Sequence, residues 1–522
     1  MSEKEIVNKK DTGVQRMDWV TTLIPLFCII ALCLLFVLRP ESSTNALSII
    51  RDFLGDTMGS YYLIVGLGIL ILSLYLSFSP IGNITLGKPG EKPQYGFWLW
   101  GAMVFTCGLA ADILFYSLSE WLYYSQESRI TEMGFREYAN AYSLFHWGPI
   151  PWSFYAVLAA AFGFMLHTRG RTKQKYSEAC RPILGKHSDK FTGKLIDILA
   201  IFALIAGTAT TFSVATPLMA NCVTELFGGA VTKWTTIIIL LAVCAVYTAS
   251  VLKGLKGFEK LSNLCMYFFI ALLAYVLLFG GQTRYIIESG LSAIGNAVQE
   301  FIGWCTYTDP LRENSFAQNW TIFYWAYWLV WCVAAPFFMG GVSRGRTVRE
   351  VIMGSYIFGV LSTIVSFIVL GNYGMGLQFT GKFDAIAMYA ETGDPYGTVV
   401  EIIKNLPLYP IVLVLIIVSM VAFYASSFDS ITLVACQYSS KESKDMESSP
   451  KRMRLFWAFL LILLPVALIF SDSSMSNLQT VSIIAAFPIG IVIILIIASF
   501  IKDSKNYLKE LSPADLAKMK KE

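Results

Sequence analysis

Apolar runs of about twenty residues recur along this chain from end to end, and nothing in it constrains the fold more. They fall at about 17–38, 59–80, 96–125, 139–168, 193–226, 232–253, 258–280, 319–343, 347–376, 409–437, 454–471 and 477–501. Each is the length an α-helix needs to cross the hydrocarbon core of a bilayer. A water-soluble fold of 522 residues would need more charge on its surface than the 15% found here, against 55% hydrophobic residues. The reading is an all-α polytopic membrane protein with twelve transmembrane helices. The first run is too long for a signal-peptide core and lacks a small-residue cleavage site, so it is expected to stay as a span.

Basic residues sort the connections. Residues 169–192 carry Arg169, Arg171, Lys173, Lys175, Arg181, Lys186 and Lys190. Further clusters follow at Lys253, Lys256 and Lys260, at Arg344, Arg346 and Arg349, and at Lys441 to Arg454, while the loops between have few. Short basic loops stay in the cytoplasm, which puts both termini there and the protein in the cytoplasmic membrane. Residues 284–305 have the amphipathic pattern of a helix lying on the membrane surface, and 385–405 suit another. The chain then divides into a tail over 1–16, two peripheral helices over 17–80, one half over 81–280, a surface helix and second half over 281–501, and a solvated tail over 502–522.

Enzyme motifs are missing. Gly82 to Lys88 imitates a phosphate-binding loop, but Pro89 stands where the Ser or Thr for magnesium belongs, and no strand precedes it. There is no GxSxG or HExxH, the ten cysteines form no CxxC pair, and His146, His167 and His187 are isolated. The net charge of +4 is spread over loops and gives no sign of a nucleic-acid partner. Gradient-driven transport remains, without an organic cofactor, and a channel or a membrane sensor is the competing class.

Two spans look interrupted. The third carries Gly108, Ala110 and Ala111; the eighth carries Ala335-Pro336. Interrupted helices at matching places in two halves point to a transporter's midplane site, and they fit five spans per half, 3–7 and 8–12. Asp112 follows the first weak point in mid-span, where a carboxylate needs a cavity or a partner. It reads as a proton carrier, as the counter-charge to a cationic cargo, or as a packing carboxyl. In the eighth span Trp320, Tyr324, Tyr327, Trp328, Trp331 and Ala335 share one helix face. Rings facing a dry cavity attract a quaternary ammonium, which cannot be hydrogen-bonded. An interfacial aromatic belt is the other reading, and it suits Trp320 at the edge better than Trp328 or Trp331. Trp147, Trp152 and Tyr155 of the fourth span have the same two readings. Thr208, Thr210 and Thr211 in the fifth span and Ser426 and Ser427 in the tenth could hold Na⁺ with hard oxygens, or bond back to their own helices.

The stretches AYSLFHWGPIPW (141–152), YTDP (307–310), NWTIFYWAYW (319–328) and VSRGRTVRE (342–350) resemble the betaine/carnitine/choline transporter family, and the likeness runs through most of residues 17–501. The resemblance implies a LeuT-like five-plus-five inverted repeat behind two extra helices, and a homotrimer in the lipid bilayer. It implies a box for a small quaternary ammonium substrate lined by Tyr327, Trp328 and Trp331, with Tyr123, Trp147, Trp152 and Tyr155, and Trp320 as an outer aromatic on the way in. The Na⁺-independent exchangers of the family carry arginine where this chain has Met266 and methionine where it has Ala335. Thr208, Ser426 and Ser427 match its sodium-coupled carriers instead. Asp112 falls where betaine carriers have glycine and choline carriers often have aspartate, and Tyr327 stands where tryptophan is usual. The expected function is Na⁺-coupled uptake of choline, glycine betaine or carnitine, with proton-coupled choline uptake or carnitine/γ-butyrobetaine exchange as alternatives.

Overall fold

The computed structural model describes residues 17–108, 110–253, 255–441, 450–470 and 475–519; the expected tail over 1–16 lies outside them. Within the described residues the chain is helical, with two isolated β-bridges, Met17 to Ser440 and Thr85 to Thr347. Among the described residues eight helices are long and apolar enough to cross a membrane, or up to eleven when each sharply bent pair is one span. The expected sixth run forms helix Lys233–Lys253, of which Lys233–Ala249 is apolar. The seventh run turns through 112° into Thr283–Gln299, the first of the two expected surface helices. Residues 385–405 form the other as a pair, Ala385–Thr392 and Pro395–Lys404.

Both expected interruptions are present. Phe97–Thr106 and Ala111–Tyr124 meet at 67°, and Ala317–Trp331 and Ala335–Gly341 at 52°. Gly108 and Ala110 lie in the first break, and Ala111 opens the helix beyond it. A Cβ on Gly108 would sit 2.1 Å from Ser362 Oγ and 2.8 Å from the Trp152 ring, so the break can lie this close to two other spans only with glycine there. In the second break Pro336 has no N–H to bond back to Cys332. The freed Cys332 carbonyl instead accepts the Tyr176 hydroxyl at 2.7 Å.

The packing repeats between the two halves. Phe191–Phe227 packs on Met475–Glu510, and its counterpart Tyr409–Tyr438 packs on Leu255–Phe279. Phe191–Phe227 also meets Ile322–Trp331, as Tyr409–Tyr438 meets Ala111–Tyr124. Lys233–Lys253 contacts Tyr409–Tyr438, as Lys451–Phe470 contacts Phe191–Phe227. Such exchange of partners is what a five-plus-five repeat requires. The two leading helices stand outside it: Trp19–Leu38 lies on Lys451–Phe470, and Gly59–Phe78 on Pro149–Gly163.

The last helix continues to Glu510 and is followed by Pro513–Met519, over residues expected from 502 onward to make a short solvated helix. Arg169 bonds Asp503 at 2.9 Å and Glu510 at 2.7 Å, and Arg171 bonds Asp503 at 2.6 Å, so the basic loop holds the tail down. On the same face Glu91 is held below the usual carboxylate range by the Lys88 backbone N–H and by Arg344.

Candidate functional site

The two breaks, the fourth span and the tenth span enclose a cavity of about 90 Å³. Thr106, Cys107, Ala110 and Asp112 come from the first break, and Tyr327, Trp328, Trp331, Ala334, Ala335 and Phe338 from the second. Trp147 and Tyr155 close one side; Ser427, Ser430 and Ile431 close the other. Trp328 is the hub. Its ring centroid lies 5.7 Å from Trp147, 5.6 Å from Trp152 and 5.0 Å from Tyr155, tilted or edge-on to each. These are the spacings and angles that aromatic quadrupoles favour.

Asp112 is 3% exposed, in the first turn of Ala111–Tyr124 where the helix dipole favours an anion. Its Oδ2 accepts the Tyr327 hydroxyl at 2.5 Å, and that hydroxyl also meets Thr211 Oγ1. Oδ1 is buried and has no hydrogen-bond partner. Asp112 thus brings a carboxylate with one unpaired, buried oxygen to the wall of an aromatic cavity.

The cavity is sealed on one side only. Tyr116 and Tyr324 pack at 5.7 Å and are buried. Thr106, Trp331, Ala335, Phe338, Ser427 and Ser430 are partly exposed, and the helices that carry them continue toward the basic loops. The partly exposed lining residues thus lie on the side of the cavity toward the basic loops.

Not every expected residue reaches this cavity. Trp152 stands behind it, its Nε1 on Thr363 at 3.3 Å and its ring against Gly359. Tyr123 lies in a separate outer cavity with Tyr389 and Tyr396. Trp320 packs on Tyr123 at 5.5 Å and gives its N–H to Glu127 at 2.7 Å, so these two form an outer layer rather than a wall of the box. Thr208 turns its hydroxyl back to Leu204 O at 2.6 Å, and Thr210 bonds Ser482 at 2.8 Å. Ser427 is the one expected hydroxyl on the cavity wall; the side chain of Ser426 lies outside the described residues. Among the described residues no group of His, Cys, Asp or Glu could hold a metal ion.

Sequence reasoning missed Glu120. This carboxylate is fully buried and accepts Trp147 Nε1 at 2.7 Å, the Tyr324 hydroxyl at 2.7 Å and the Tyr124 hydroxyl. His146, read as isolated, is also in this network, with Nδ1 on Tyr124 at 2.7 Å and Nε2 on Thr321 at 3.0 Å. A signal was present: Asp112, Tyr116, Glu120 and Tyr124 recur every four residues, a polar stripe on one face of an apolar helix.

A family model described as betaine/carnitine/choline family transporter matches residues 20–509. The glycine betaine transporter OpuD of Bacillus subtilis is 32% identical, over 92% of this chain and 93% of its own length. The osmo-independent choline transporter BetT1 of Acinetobacter baylyi is 27% identical over 91% and 90%. A carnitine transporter of Acinetobacter baumannii is 27% identical over 82% and 78%. The structure of a Na⁺-coupled sialic acid symporter in a substrate-bound outward-open state is similar at a TM-score of 0.42, with 12% identity over 84% of this chain and 85% of that one.

Proposed function

The chain belongs to the betaine/carnitine/choline transporter family, a membrane carrier of quaternary ammonium compounds and not an enzyme, and on that premise we propose that it takes up choline with Na⁺. The observation that carries the choice of cargo is the Asp112 carboxylate on the wall of an aromatic cavity, with its buried Oδ1 unpaired. Trp147, Tyr155, Trp328 and Trp331 offer ring faces to a trimethylammonium head. An ionised Asp112 attracts that head and accepts a hydrogen bond from choline's hydroxyl. Glycine betaine and carnitine bring a carboxylate of their own, which the same aspartate repels.

The second reading is glycine betaine, which the 32% identity to a glycine betaine transporter favours. Uptake of both compounds by wild type, Asp112→Asn and Asp112→Gly across pH separates them. Asp112→Asn is expected to weaken choline uptake about tenfold, the size of a charge-assisted hydrogen bond, and to spare betaine. Asp112→Gly is expected to shift preference toward betaine. Equal responses to both compounds in every variant would remove Asp112 from cargo choice. Loss of pH dependence in Asp112→Asn, whatever the cargo, would make it the proton carrier instead.

Sodium suits the oxygen donors at the open end of the cavity. Ser427 and Ser430 line the same cavity as the first break, where main-chain carbonyls leave the helix ladder. When bound, Na⁺ supplies the driving force; the chain's own part is to tie the tenth span to the hinge of the third. Ser427→Ala is expected to raise the sodium needed for half-maximal uptake, and equal counterflow with and without sodium would favour exchange.

The same proposal puts the basic loops and both termini in the cytoplasm, so that the partly exposed side of the cavity faces inward, and takes the carrier as a homotrimer. In a cysteine-depleted background, a membrane-impermeant thiol reagent added outside should label a cysteine at position 312 and not one at 175. The reverse pattern would invert the topology.

A further inference from the structure

Glu120 lies two turns along the helix from Asp112 and does not line the cavity, yet one of its hydrogen bonds ends on a ring that does. Oε2 accepts Trp147 Nε1 at 2.7 Å, and the Trp147 ring lines the cavity 5.7 Å from Trp328. Its other partners are the hydroxyls of Tyr324 and Tyr124. All three groups have a hydrogen to give. Indole N–H can only donate, and a carboxylate can only accept, so the set suits an ionised Glu120. With the Tyr124 hydrogen on Glu120, the Tyr124 oxygen is left to accept Nδ1–H of His146, whose Nε2 lies 3.0 Å from Thr321 Oγ1. Among the described residues no lysine or arginine forms an ion pair with Glu120; His146 Nδ1, 3.6 Å away, is its one basic neighbour.

We propose that Glu120 is a positioning and electronic-tuning residue for the cage: its charge, hydrogen-bonded to the Trp147 N–H, makes that indole a stronger partner for a cation. The inference rests on the cavity's binding a quaternary ammonium. A hydrogen bond in a low-dielectric interior polarises its donor, and an indole whose N–H leans on a carboxylate carries more electron density over its face. The face is what draws a cation. The charge also acts on the cargo directly through the protein interior, where it is weakly screened. Both effects act on the cargo's charge and not on its shape. Anchoring the N–H fixes the plane of the ring as well, because Trp147 Nε1 has this one acceptor.

A charged ligand and its uncharged twin separate tuning from structure. Choline and 3,3-dimethyl-1-butanol have the same outline, with carbon in place of nitrogen in the second. Glu120→Gln keeps an acceptor oxygen and the volume, and removes the charge. In the full-length purified carrier the Kd for choline is expected to rise about fivefold, within the cation–π range, while that for dimethylbutanol stays within about twofold. In a Trp147→Phe background, which has no N–H to polarise, Glu120→Gln should change the choline Kd by less. An unchanged choline-to-dimethylbutanol ratio in Glu120→Gln overturns the proposal. Should that variant fail to fold, Trp147→Phe alone decides. It is expected to weaken choline more than dimethylbutanol, and equal weakening of both overturns the idea. A wild type that holds choline no better than its twin would instead overturn the quaternary ammonium reading itself.

Discussion

Gly340→Ala is expected to leave little folded carrier, while the same change at Gly341 passes without effect. The two glycines are neighbours in the second half of the broken eighth span, but they face different surroundings. A Cβ on Gly340 would lie 2.6 Å from the Ala159 carbonyl oxygen and 2.7 Å from the Gly163 nitrogen. Those are backbone atoms of a packed helix and cannot swing aside. On Gly341 the same atom would meet nothing within 4 Å. Membrane helices associate through such close approaches of small residues, because lipid provides no hydrophobic drive to press them together. Overpacking a core costs about 1–3 kcal/mol when side chains can yield, and a main-chain clash leaves less room to yield. His167 completes the contact by reaching the Gly340 and Gly341 carbonyls at 3.1 and 3.0 Å. Size-exclusion profiles and thermal melts of the two variants check this. Equal melting temperatures would show that the fourth and eighth spans slide apart at little cost.

That crossing also explains which parts of the site could be read from sequence. Break positions follow from backbone chemistry: Pro336 removes an N–H, and Gly108 removes a Cβ, whatever the helices pack against. Asp112, Tyr327, Trp328 and Trp331, all close to a break, meet in one cavity. Positions farther along a helix are harder to read. Tyr123 is eleven residues beyond Asp112, about 16 Å along the axis, and belongs to an outer layer with Trp320. Trp152 lies at the right depth but on a face turned toward the ninth span, and the start of its helix at Pro149 does not fix that rotation. Thr208 shows the ordinary habit of a threonine in a long helix, giving its hydroxyl to the fourth carbonyl back. A carboxylate nearer a span's end has a routine explanation in solvent, yet the structure buries Glu120 completely.

Trp328→Leu is expected to raise the choline Kd about thirtyfold, the top of the cation–π range, since this indole is the ring the others surround. Leucine fills part of the volume but has no quadrupole, and it also loses the edge-on contacts with Trp147, Trp152 and Tyr155. Part of the loss would then come from a collapsed box rather than from missing attraction. Trp328→Phe separates the two. The Trp328 Nε1 is buried without an acceptor, so phenylalanine forfeits no hydrogen bond there and keeps a weaker π face. About a threefold loss is expected for it. The uncharged dimethylbutanol should be weakened by Trp328→Leu only as far as packing is lost, and hardly by Trp328→Phe. Tyr123→Leu, one layer outward, should leave the choline Kd within about twofold, as its ring lines a different cavity. Isothermal titration of the four proteins with both ligands decides. Should Tyr123→Leu weaken choline as much as Trp328→Leu does, the outer cavity holds the cargo and the cage around Trp328 is core packing.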